Sequence, residues 1–139
     1  DAKEMWNQSS LVLFHPYLKN KRVLPFGIRQ RNDLLIIPLY DTDKLIWSYQ
    51  SIDKSGRKRF MKGGKVTGNF YLIGDIQDRV YIAEGFSTAA TVNQKLNMPV
   101  IVAFNAGNLK VVALAIYKKY LHDQGSFFDS SYLFCSTNV

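Results

Sequence analysis

Glu84 is the residue placed to do chemistry. It follows the apolar run Val80-Tyr81-Ile82-Ala83 and precedes Gly85 and the helix-forming stretch FSTAATV. A carboxylate at such a junction has two uses. It can stabilise the partial positive charge of the helix N-terminus. It can also stand as a reactive group at a strand tip, where open parallel sheets bind their ligands. Residue types alone weigh the two evenly. Gly85 leaves space for a ligand near the backbone, and the helix N-terminus beyond favours anions. Two other apolar runs end comparably, PVIVAF at Asn105-Ala106-Gly107-Asn108 and YLFCS at Thr137-Asn138. In one parallel sheet these three tips would share a rim. Asn105 and Asn108 are loop and cap residues by type, and Asn105 at a strand tip is also placed to touch a ligand.

The second feature is charge. Eighteen Lys and Arg against eleven Asp and Glu give a net charge of +7 and a pI near 9.5. Such a surface suits a polyanion, either nucleic acid or nucleotide phosphates. The cations cluster in KNKR (19–22), RQR (29–31) and KSGRKRFMKGGK (54–65). Arg57, Lys58, Arg59, Lys62 and Lys65 are therefore candidates for phosphate contacts. A hairpin edge kept charged against aggregation competes with that reading. The stretch GGKVTG lacks the spacing of a phosphate loop and reads as a turn. The single cysteine, Cys135, excludes an intramolecular disulfide and a cysteine-rich zinc site. No apolar run approaches membrane-spanning length. A start at Asp1, without Met or a signal-like order of charges, points to a piece of a longer protein.

The elements that must position these residues fall into two halves. The first 22 residues read as short helical pieces, with Pro16 suited to a first helical position. DLLIIPLY, KLIWSYQSID and RKRFMK then read as a three-stranded antiparallel meander, with Asp41-Thr42-Asp43 and Lys54-Ser55-Gly56 as turns. Pro38 marks an edge or irregularity. On the second strand, Ile46, Ser48 and Gln50 form the more polar face. NFYLIGD is a further short strand. After residue 76 the pattern changes to strand, helix, strand, helix, strand: Val80–Ala83, Ser87–Leu96, Val100–Phe104, Leu109–Tyr120 and Leu133–Cys135. Ser87 or Thr88 would cap the first of these helices. That alternation predicts a parallel sheet flanked by helices. The expected division is 1–76, a basic helical and β-meander subdomain, and 77–139, the α/β unit.

VYIAEGFSTAATV followed by PVIVAFNAGNLK resembles the Toprim domain of phage- and plasmid-type DNA primases. HPYLKNKRV, LLIIPLYD, SIDKSGRKRFMKGGK and FYLIGD resemble the segment that precedes Toprim in those enzymes, so the likeness covers nearly the whole chain. It implies a Rossmann-like Toprim fold and metal-dependent nucleotidyl transfer, making RNA primers on single-stranded DNA from NTPs. It also implies Mg²⁺ or Mn²⁺ as cofactor, a cytoplasmic setting in a bacterium or phage-infected host, and a replicative helicase as possible partner. Glu84 would be the acid/base glutamate near the metal, and Gly85, Asn105 and Asn108 would line the nucleotide side. The chain departs from the family at one point. Toprim domains carry Asp-x-Asp at the third strand tip, and the corresponding positions here are Thr137 and Val139, both poor metal ligands. Three explanations stay open: another register, a fragment ended or altered at the motif, or a degenerate domain. The degenerate domain would bind nucleic acid or protein without catalysis, and a Toprim nuclease is the remaining alternative.

Overall fold

The computed structural model describes residues 1–121 and, as backbone, 133–136. The chain opens with α1 (Ala2–Asn7), β1 (Ser10–Leu11) and α2 (Pro16–Lys21). It continues through β2 (Arg29–Arg31), β3 (Leu34–Tyr40), β4 (Ile46–Ile52) and β5 (Lys58–Phe60). Then follow β6 (Tyr71–Ile73), β7 (Val80–Ala83), α3 (Phe86–Leu96), β8 (Val100–Val102), α4 (Leu109–Ile116) and β9 (Leu133–Ser136). A 3₁₀ turn over Ala106–Asn108 leads into α4, and a π turn over Tyr117–Leu121 ends it.

The first sheet is antiparallel, ordered β1-β2-β3-β4-β5. The expected meander is thus its β3-β4-β5 part. The first two strands escape the sequence pattern because Ser10–Leu11 is two residues long and RQR has no apolar alternation. Pro38 pairs with Tyr49 of β4, while β2 ends opposite Ile36. The missing Pro38 N–H therefore falls past the end of the neighbouring strand, where no ladder bond is lost. The more polar face of β4 is the buried one. Ser48, Gln50 and Ile52 point inward beside Leu39, Ile37 and Leu35, whereas Trp47 and Leu45 are exposed. The reason is Gly64, which lies so close over Ser48 that only a small side chain fits beneath it.

The second sheet is ordered β6-β8-β7-β9. The β7/β8 and β7/β9 pairs are parallel, and β6 runs antiparallel to β8 at the edge. β6 thus lies in this sheet, although NFYLIGD reads as a continuation of the first block and the expected division at 76 falls after it. Val80, Ile82, Val100, Ile101 and Val102 are fully buried, which is why their sequence reads as unbroken apolar runs. One apolar core joins the sheets: Leu35, Ile37 and Ile52 from the first, Ile73, Val100 and Val102 from the second, and Phe86, Ala89 and Ala90 from α3. Ile82, Ile101, Val112 and Ile116 form a second core on the α4 face.

Three expectations about local detail change. β8 ends at Val102, two residues early. α4 gives way to the π turn at Tyr117. The cap of α3 is Gly85, extended at φ −115° and ψ 158°, with no side-chain cap bond, so neither Ser87 nor Thr88 serves. His122, Thr137, Asn138 and Val139 lie outside the described residues, and Cys135 stands in β9 opposite Ile82.

Candidate active site

The parallel register aligns Ala83 of β7 with Val102 of β8 and Ser136 of β9. Their carboxyl ends therefore form one rim. Glu84, half-buried, follows directly on β7 there, with the start of α3 two residues beyond. Gly85 is buried and its carbonyl accepts from the Ala89 N–H, so it serves the first helical turn. On the β8 side, the Ala103 N–H donates to the Ala83 carbonyl at 2.8 Å. Phe104 follows with φ 76°, a left-handed backbone that a bulky residue rarely adopts. Such strain costs roughly 1–3 kcal/mol and persists where surrounding packing enforces it.

Phe104 is also where the halves meet. Its ring stands edge-to-face against Phe60 of β5 at 6.1 Å. Phe60 and Lys58 lie on the inward face of the first sheet, opposite Gln50 and Ile52, while Arg59 opposite Ser51 points to the other face. This alternation divides the basic cluster. Lys58 Nζ lies 6.0 Å from the centre of the Tyr17 ring, and Lys21 Nζ of α2 lies 5.8 Å from it. A cavity of about 360 Å³ opens there, lined by Tyr17, Asn20, Lys21, Lys54, Ser55, Gly56 and Lys58. Lys21 also lines an adjoining cavity of about 290 Å³ with Ser87, Thr88, Thr91 and Val92 of α3. Hydroxyls of the first turns of α3 thus line a cavity that meets the lysine-lined one at Lys21, and the two form a groove along α2.

The turn of the basic hairpin is built by Asp53. Its Oδ1 accepts from the Ser55 N–H, the Ser55 hydroxyl and the Arg57 N–H. The Ser55 hydroxyl, and then the Arg57 N–H, hold this carboxyl below its ordinary value. Asp41 does the same for the β3–β4 turn. Slight burial opposes ionisation there, but the Trp47 indole N–H and the Leu45 and Asp43 N–H groups outweigh it, so its carboxyl too is lowered.

The remaining candidates separate. Arg57, Arg59 and Lys62 are exposed, and Lys65 packs its ammonium 5.8 Å from the Trp47 ring centre. Asn105 is exposed and caps the 3₁₀ turn by accepting from the Asn108 N–H at 2.9 Å. Asn108 is buried. Its amide donates to the Val66, Asn69 and Ala103 carbonyls, and its Oδ1 accepts from the Gly68 N–H. The group is consumed within the fold, so Asn108 is a clasp between chain segments. Tyr17, Lys21 and the Ser87–Thr91 face were not singled out as site residues from sequence. Lys21 falls in the basic cluster KNKR, and its i, i+4 spacing from Tyr17 puts the two on one helix face.

Magnesium asks for several oxygens, with carboxylates usually among the protein's share. Among the described residues, no group of three or more His, Cys, Asp or Glu is placed to hold a metal ion.

Comparison with known proteins now bears on this geometry. No family model matches the chain. A protein named DNA primase TraC from Escherichia coli is 35% identical over 113 residues, 76% of this chain. A second protein of that name and organism is 35% identical over 89 residues, 60% of this chain. This chain is a relative of the phage- and plasmid-type DNA primases. It spans only 11% and 6% of the length of those two primases. A crystal structure of the primase fragment of the bacteriophage T7 primase-helicase protein shares the fold. It matches 83% of this chain and 53% of its own, at a TM-score of 0.53 and 17% identity. The primase likeness spans both halves of the molecule. No described helix is long and apolar enough to cross a membrane.

Proposed function

We propose that this chain is the catalytic core segment of a DNA primase, with residues 77–139 as a Toprim unit and 1–76 as its basic subdomain. The groove along α2 takes the phosphates of single-stranded DNA or of an incoming NTP. The rim at Glu84 carries nucleotidyl transfer. The observation that carries this reading is the Phe60–Phe104 contact, which brings the lysine face of β5 to the rim that bears Glu84. In this reading Lys21 and Lys58 neutralise phosphate charge, and the hydroxyls of Ser87, Thr88 and Thr91 donate to phosphate oxygens. The Glu84 carboxylate accepts the proton of the attacking hydroxyl or orients it. Any Mg²⁺ or Mn²⁺ would take oxygens of the nucleotide together with the Glu84 carboxylate. A replicative helicase as partner and a cytoplasmic setting belong to the same reading, the T7 protein being a primase-helicase.

One observation favours a second reading, a module that binds nucleic acid or protein without catalysis. Thr137 and Val139 stand where two carboxylates would be expected. Incubation with single-stranded DNA, NTPs and Mg²⁺ separates the alternatives: longer oligonucleotides for a primase, shorter ones for a nuclease, neither for a binding module. In the intact parent protein, Glu84→Gln should abolish primer synthesis and leave strand binding nearly unchanged. Normal synthesis by that variant would refute the catalytic role. Replacing Lys21 and Lys58 together by Ala should weaken strand binding and make the slope of log affinity against log salt shallower by about 1.4. Arg59→Ala, on the opposite face, should have the smaller effect. Equal effects would place the strand outside the groove.

A further inference from the structure

Helix α2 separates two surfaces. Tyr17, Asn20 and Lys21 face the groove, whereas His15, Leu18, Lys19 and Arg22, spaced i, i+3, i+4, i+7, line a different cavity. This second cavity measures about 470 Å³. Leu18 and Val23 form its buried floor. Its walls are large apolar side chains facing water: Leu13 is 96% exposed, Leu24 62% and Phe14 60%. Leu11 of β1, 77% exposed, stands two residues before Leu13 in the chain. Isolated exposed leucines need no explanation, but a cluster around a cavity marks an interaction surface. The wall is also fixed in place. Gln94 of α3 accepts from the Leu24 N–H at 2.8 Å and donates to the Arg22 carbonyl at 3.2 Å.

The charge of the rim selects the occupant. Lys19, with its ammonium 5.9 Å from the Phe14 ring centre, and Arg22 border the cavity, and none of its described lining residues is acidic. We propose that this cavity docks an acidic protein segment, which inserts large apolar side chains between Leu13, Phe14 and Leu24 and sets carboxylates against Lys19 and Arg22. A nucleic-acid strand fits less well. Single strands bind by stacking bases on aromatic rings, and here Phe14 is the one exposed aromatic ring among the described lining residues, His15 being buried. A second copy fits less well too, because a face-to-face pair would set Lys19 and Arg22 against their own copies, in a chain of net charge +7.

The test uses the whole chain and a fluorescein-labelled amphipathic peptide with leucine and phenylalanine on one face and glutamate on the other. The same peptide with lysine for glutamate serves as comparison, and an oligothymidylate as competitor. The glutamate peptide should bind saturably, one per chain, and more tightly than the lysine peptide. Leu13→Ser with Leu24→Ser should weaken it about tenfold or more, with the thermal melt unchanged because both side chains already face water. Lys19→Glu with Arg22→Glu should reverse the preference to the lysine peptide. The proposal is overturned by equal affinity for both peptides or by the absence of saturable binding. Displacement by oligothymidylate, or a dimer in sedimentation that the serine variants dissolve, overturns it as well.

Discussion

Both sheets bury apolar side chains, but their buried faces differ in what else they hold. In the β6-β8-β7-β9 sheet, Val80, Ile82, Val100, Ile101 and Val102 have no exposed surface, so burial fixes the register. In the first sheet, β4 buries Ser48 and Gln50 along with Ile52, while Lys58, Arg59 and Phe60 of the neighbouring β5 end remain exposed. That end is held by a glycine against a serine and by a carboxylate inside a turn. A scaffold of apolar strands thus carries the Glu84 tip, while the cations opposite it are placed by local devices that leave their side chains in water. Positioning and charge are supplied by separate parts of one core.

The contrast can be broken from either side, and the largest effect is expected in the apolar sheet. Ile101, between β6 and β7 partners, is fully buried. Ile101→Ala should cost about 3 kcal/mol of stability, read as a lower urea midpoint with the slope of the transition unchanged. A loss well below that would mean that burial does not hold this sheet. Next comes Gly64, where an added Cβ would lie 2.2 Å from Ser48 Oγ and 3.2 Å from its Cα. Gly64→Ala should cost about 1–3 kcal/mol, as overpacking does. Ser48→Gly in the same chain should recover most of it, and strictly additive losses in that cycle would locate the strain elsewhere.

The smallest effect concerns acid. The Asp53 carboxyl is lowered in the fold by the Ser55 hydroxyl and the Arg57 N–H. Its contribution is therefore complete above the ordinary carboxylate value of about 3.9 and lost as pH falls through the lower folded value. The Ser55 and Arg57 amides should gain hydrogen-exchange rate, relative to unstructured peptide at the same pH, only below that range. In Asp53→Ala the exchange should be fast at every pH. An Arg57 amide equally protected in that variant would remove Asp53 from the turn.

Sequence revealed the second sheet best, because strands covered on both faces leave an apolar run that a charged surface cannot imitate. Val80–Ala83 and Val100–Val102 are of that kind, and the Glu84 tip follows from them once the strands are parallel. It revealed less where geometry overrides residue type. Ser48 and Gln50 read as the more polar face, and nothing in the alternation announces that this face is buried with Gly64 closing over Ser48. β6 is visible as a strand, but periodicity does not name the partner it pairs with. In the groove, Tyr17 and Lys58 come together across forty-one positions of chain, so no local spacing announces the pair. Asn108 has the residue type of a cap and the position of a ligand-binding loop, and only its four bonds to Gly68, Val66, Asn69 and Ala103 identify what it does.

Those bonds also impose an order on the birth of the molecule. Residues 66–69 carry the chain from the basic hairpin into β6, and their polar backbone groups are completed by an amide some forty positions downstream. A ribosome releases the hairpin sheet first, and the connecting segment must stay bonded to water until Asn108 has emerged. The first sheet can therefore form early, but the joint that sets it against the Glu84 rim closes only after β7, α3 and β8 have left the exit tunnel. The groove between them is a late product of synthesis, assembled once both of its walls are in place.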